Sequence, residues 1–77
     1  MKVRNVIRGL KNEYGCGLEE INIIADDRVL YSGSVHGWDN TDVDMLDYKE
    51  KVMEMEVTKR IMFNYRKAFI FVRENIF

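Results

Sequence analysis

Few residues in this sequence have side chains that could do bond-making chemistry, and they are scattered. There is a single cysteine, Cys16, and a single histidine, His36. A Cys–His nucleophile pair needs a third group to orient the base, and nothing in the spacing marks one. Zinc takes about four ligands from Cys, His and carboxylates, yet no Cys–Cys or His–His pair occurs. The run Asp39-Asn40-Thr41-Asp42-Val43-Asp44 offers hard oxygens of the kind calcium prefers. Its spacing is not that of a calcium loop and the central glycine is missing, so helix capping is the favoured reading. Gly15-Cys16-Gly17 is too short for a phosphate cradle, and neither glycine-rich nucleotide motif is present. No catalytic residue, metal or cofactor is expected, and the chain reads as non-enzymatic.

Two sets of residues suit binding instead. The first is Trp38 with Asp39, Asp42, Asp44 and Asp47. Trp38 stands in a Gly-Trp-Asp-Asn stretch outside any periodic element, where an aromatic can anchor a partner. Carboxylates beside it could mimic phosphates and pair with arginines. The second is the basic–aromatic stretch from residue 59 to residue 67, with Lys59, Arg60, Tyr65, Arg66 and Lys67. There, rings could stack on single-stranded bases while the cations meet phosphates. An acidic middle segment and a pI near 5.8 weaken that reading. Tyr31, Tyr48, Met53 and Met55 add residue types enriched at interfaces.

These residues must be positioned by one small domain spanning residues 1–77. With no disulfide available, its stability rests on apolar packing. A hydrophobic fraction of 47 % against 32 % charged residues is that of a folded domain rather than a disordered one. Charges interrupt residues 1–14, so they hold no continuous apolar signal core. The longest apolar run, Ala68 to Val72, is far short of a membrane span. A cytoplasmic protein with a reduced Cys16 and no membrane partner is expected.

Val3, Val6, Ile7, Leu10 and Tyr14 share one face of a helix over residues 2–14. Gly15 and Gly17 sit just after it, where a helix needs a left-handed exit, and Gly9 suggests a close approach to a sheet. Residues 20–35 read as a β-hairpin turning at Asp26-Asp27, with Val29, Tyr31 and Val35 on one face and Leu30 on the other. Gly33 suggests a bulge or a packed aromatic. His36 to Asn40 has loop composition, and Thr41 is placed to cap a short helix over 42–48 that buries Val43 and Leu46. Alternation from Lys51 to Val57 and the run Ala68 to Val72 favour a second hairpin with its turn at Asn64 to Lys67. Val57, Ile61, Tyr65, Ala68, Val72 and Ile76 also fit a helical face. The hairpin is preferred, because Met-Glu-Met-Glu and Phe-Ile-Phe-Val are poor helix patterns. The expected fold class is α+β: an N-terminal helix packed on a four-stranded antiparallel sheet, in the order α-β-β-α-β-β.

The overall charge of −1 hides a segregation: both ends are basic and the middle is acidic. Terminal elements lying beside the middle ones would offset this, and that is the simpler expectation. A bipolar surface that steers a charged partner is the alternative.

Several stretches carry a resemblance: the opening Met1-Lys2-Val3-Arg4, Ile21-Asn22-Ile23, the segment from Asp26 to Val35, Leu46-Asp47-Tyr48 and the closing Phe69-Ile70-Phe71-Val72. In these the chain resembles small proteins of phages and integrative elements of Gram-positive bacteria. Proteins of that type include inhibitors of host defence, anti-CRISPR proteins among them. The resemblance therefore implies a non-enzymatic protein-binding module that occupies a host defence complex of the CRISPR-Cas type. It assigns no residue a role. A nucleic-acid-binding regulator using the basic–aromatic stretch is the alternative. A homodimeric accessory protein, paired through a sheet edge or an open sheet face, is the third reading.

Overall fold

The computed structural model describes residues 1–59 and 61–73. Helix α1, Val3–Tyr14, is followed by a single 3-10 turn at Gly15–Gly17 and then by strands β1, Glu20–Ala25, and β2, Arg28–Ser34. A short helix α2, Val35–Asp39, leads through a 3-10 turn at Val43–Met45 into helix α3, Leu46–Met53. Strands β3, Glu56–Val57, β4, Met62–Asn64, and β5, Lys67–Arg73, complete the described chain.

The α+β class and the N-terminal helix are as the sequence implies, but the sheet has five strands and is mixed. β1 pairs antiparallel with β2 and parallel with β5, setting Ile21 beside Ala68 and Ile23 beside Ile70. β3 and β4 share the other edge of β5, one after the other. The expected all-antiparallel sheet fails here. The chain leaves β2, crosses the helical face through α2 and α3, and returns running alongside β1. β5 thus lies between neighbours on both sides, which suits its β-branched and aromatic run.

Val3, Val6, Ile7 and Leu10 of α1 are buried together with Ile21, Ile23, Ala25, Ala68, Ile70 and Val72 of the sheet. Tyr14, the last residue of the same helical stripe, stacks on Phe63 with ring centroids 3.9 Å apart. Gly15 leaves the helix at φ 53°, a conformation that costs glycine little. Gly9 does not mark a close approach, since a Cβ there would meet nothing within 4 Å.

Three local expectations are corrected. First, the β1–β2 register slips between Ile23 and Ile24, so that Tyr31 lies opposite Ile23 and Val29 opposite Ile24. The extra residue, Leu30, turns inward with Tyr31, and Val29 faces outward; strict alternation had implied the reverse. Secondly, residues 36–39 are helical rather than loop, because Ser34 Oγ accepts the Gly37 N–H at 2.9 Å and caps α2. Thirdly, the helix expected over residues 42–48 is α3, which runs to Met53, and the strand expected from residue 51 shrinks to Glu56–Val57. Val52 is fully buried among the core residues, and that anchors the helical turn over the alternating pattern. The turn between the last two strands does fall at Asn64 to Lys67, with Tyr65 and Arg66 both at positive φ.

The charge segregation resolves as neighbouring elements would have it. Lys2 and Arg4 meet Glu54, and Arg4 also meets Glu50. Lys11 meets Asp39, and Arg66 meets Glu19. These pairs are exposed and screened by solvent, so their effect is mainly to neutralise the surface they occupy.

Candidate functional site

The segment from Asp42 to Tyr48 follows α2, and hydrogen bonds on either side hold it to the core. Thr41 Oγ1 and Lys49 Nζ each donate to the Trp38 carbonyl at 2.6 Å. Tyr48 Oη donates to the Leu30 carbonyl at 2.9 Å. Between these fixed points the side chains face outward. Val43 is 81 % exposed, Met45 48 %, Leu46 44 % and Tyr48 39 %. Asp42, Asp44 and Asp47 alternate with them, are exposed, and make no ion pair among the described residues. The result is an apolar patch studded with three carboxylates. Beside it, a cavity of about 230 Å³ opens between β2, α2 and α3, with Leu30, Tyr31, Trp38, Met45 and Tyr48 among its walls.

The residues expected at this site divide. Asp42, Asp44 and Asp47 lie together on the exposed segment. Asp39 does not join them, because Lys11 of α1 holds its carboxylate at 2.6 Å. Trp38 is 3 % exposed and belongs to the core, so its expected role as an exposed anchor is corrected. Its ring lies 4.8 Å from that of Tyr31, and Lys49 Nζ sits 5.4 Å from its centroid. Composition pointed to a loop, but α2 is only one turn long and shows no period to reveal which side faces the sheet.

The exposed apolar residues were missed for the opposite reason: Val43 and Leu46 match a buried helical spacing. Met45 and Leu46 are adjacent, and adjacent helical positions do not share a face, which was the available signal. Thr41 does not cap the helix either: the N-cap positions fall at Asp42 and Met45 without a side-chain cap bond, and the Thr41 hydroxyl donates to the Trp38 carbonyl.

Gly37 and Tyr31 are part of the cavity's wall. The Tyr31 phenol donates to the Ser34 carbonyl at 2.7 Å and passes over Gly33 and Gly37. A Cβ at either glycine would come within 3.1 Å of the phenolic oxygen. Gly33 therefore marks a packed aromatic. Burial pushes the Tyr31 phenol above its ordinary pKa, and the Asp39 carboxylate adds to the effect.

The basic–aromatic set does not converge. Arg66 is paired with Glu19 at 2.8 Å, and Lys67 lies 3.9 Å from Glu20. Lys59 Nζ lies over the Phe71 ring at 5.6 Å. Phe71 is four residues along β5 from Lys67, or about 13 Å in an extended strand. Tyr65 projects at the turn, 86 % exposed. Arg60 lies outside the described residues.

Cys16 is exposed, and the His36 ring lies beside the Asn40 side-chain amide. Among the described residues no three His, Cys, Asp or Glu side chains gather as metal ligands, and no helix is long and apolar enough to cross a membrane. Compared with protein-family models, with curated proteins and with solved structures, the chain matches none.

Proposed function

We propose that this chain is a non-enzymatic protein-binding module that presents residues 42–48 to a basic partner surface. One observation carries the reading. Val43, Met45, Leu46 and Tyr48 stay exposed on a segment pinned to the core, among three carboxylates that make no ion pair among the described residues. Apolar side chains supply desolvated contact area, and unpaired carboxylates favour charge-assisted bonds to arginine. An inhibitor that covers the nucleic-acid channel of a bacterial defence complex, of the CRISPR-Cas type, needs such a surface. We assign the protein to that class, as a product of a phage or mobile element acting in the bacterial cytoplasm.

The test is affinity for purified CRISPR-Cas effector complexes, measured for the native chain, for Asp44→Lys and for Val43→Ser. Each substitution is expected to weaken binding at least about tenfold, or about 1.4 kcal/mol. Melting temperature is expected to hold, because both side chains are exposed. Affinity unchanged by either substitution refutes the surface.

A further inference from the structure

A second cleft lies between α1, the end of α2 and α3, around a corner from the acidic segment. Its volume is about 290 Å³. Arg4, Arg8 and Lys11, spaced along one side of α1, and Lys49 of α3 bring four cations to its walls, against the single carboxylate of Asp39. Ile7, Trp38 and Met53 form an apolar floor, which lowers the local dielectric and strengthens the field of those charges.

The cations are not all spent. Arg4 Nη2 is held by Glu50 and Glu54, and Lys11 Nζ by Asp39. Arg8 makes no ion pair among the described residues. Lys49 Nζ gives one proton to the Trp38 carbonyl, and an ammonium carries three. Arg4 Nε is the only buried side-chain donor among the described residues with no hydrogen-bond partner. Its guanidinium is held by Glu50 and Glu54 and Nε itself is closed to solvent, so Arg4 contributes charge to the cleft wall and no free donor.

We infer that this cleft binds the phosphate group of a small phosphorylated molecule, received by Arg8 and Lys49, with Arg4 adding positive charge to the wall. Guanidinium and ammonium groups are the usual partners of phosphate oxygens, and the exposed Arg8 guanidinium has no ion pair among the described residues. The cleft's volume suits one or two phosphates with a short organic part rather than a tracked strand. This inference does not depend on the protein-binding surface, which uses other side chains.

Trp38 is the protein's only tryptophan and lines the cleft, so its emission reports occupancy directly. The full chain is titrated with inorganic pyrophosphate, with adenosine monophosphate and with a short single-stranded DNA, with 31P line broadening as a second readout. Pyrophosphate and the mononucleotide are expected to saturate the signal below about 1 mM. Arg8→Gln, an exposed substitution, is expected to weaken them at least about tenfold, and Lys49→Gln likewise. Asp44→Lys is expected to leave this binding in place, which separates it from the docking surface. No saturation by either small phosphate overturns the inference. So does binding of the DNA alone, or binding that ignores Arg8→Gln in a folded variant.

Discussion

Replacing Trp38 by alanine separates a core residue from a contact residue. The side chain is 3 % exposed, packs against the Tyr31 ring and lies under the Lys49 ammonium. A buried aromatic of this size removes roughly 150–250 Å² from water. At about 25 cal/mol per Å² that is about 4–6 kcal/mol, an upper figure because the unfolded chain already hides part of its surface. Measured truncations of buried Phe and Trp cost about 3–5 kcal/mol, and that is the loss expected here. The Thr41 and Lys49 hydrogen bonds end on the Trp38 backbone carbonyl, so they survive the substitution and the loss reports side-chain packing. A 77-residue domain has a total stability of roughly 4–12 kcal/mol, so Trp38→Ala removes much of it. The assay is urea unfolding followed by far-ultraviolet circular dichroism, since the variant has no tryptophan to follow. A loss below about 1 kcal/mol, the size of an ordinary surface change, refutes the placement of Trp38 in the core.

The Tyr31–Gly33 contact is testable by a double-mutant cycle. Gly33→Ala drives a methyl to 3.1 Å from the phenolic oxygen and is expected to cost about 1–3 kcal/mol. In a Tyr31→Phe background the same change is expected to cost less, and additivity within about 0.5 kcal/mol contradicts the contact. Stability is also expected to fall on acidification through the Glu54 network. The Lys2 hydrogen bond, aided by the Lys2 and Arg4 charges, holds the Glu54 carboxyl below its ordinary value despite some desolvation. Its contribution is therefore complete above the unfolded glutamate pKa, about 4.3, and fades as pH falls through the lower folded value. Glu54→Gln is expected to flatten that limb of the pH profile, and an unchanged acid limb contradicts the assignment.

Most of what was legible beforehand is local. The stripe Val3, Val6, Ile7 and Leu10 names the buried face of α1, and Gly15 names its end. Asp26-Asp27 and Asn64 to Lys67 mark both hairpin turns. Of the expected set Trp38, Asp39, Asp42, Asp44 and Asp47, only Asp42, Asp44 and Asp47 lie on one exposed segment. These features depend on residues a few positions apart, where helical and strand periods and turn geometry act directly.

What the sequence alone could not determine involves contacts between distant residues. The parallel pairing of β1 with β5 joins residues on either side of the whole helical crossover, and no local period encodes strand direction. The bulge at Leu30 reverses which of Val29 and Leu30 faces the core, because one extra residue breaks a period of two. Met53 is helical rather than extended because the burial of Val52 outweighs the alternation around it. The sequence by itself determined the α+β class and the buried face of the first helix. Only the tertiary structure decided that Trp38 is core while Val43 and Leu46 are exposed. That choice depends on which elements close over one another, and burial follows from those long-range contacts, not from residue type.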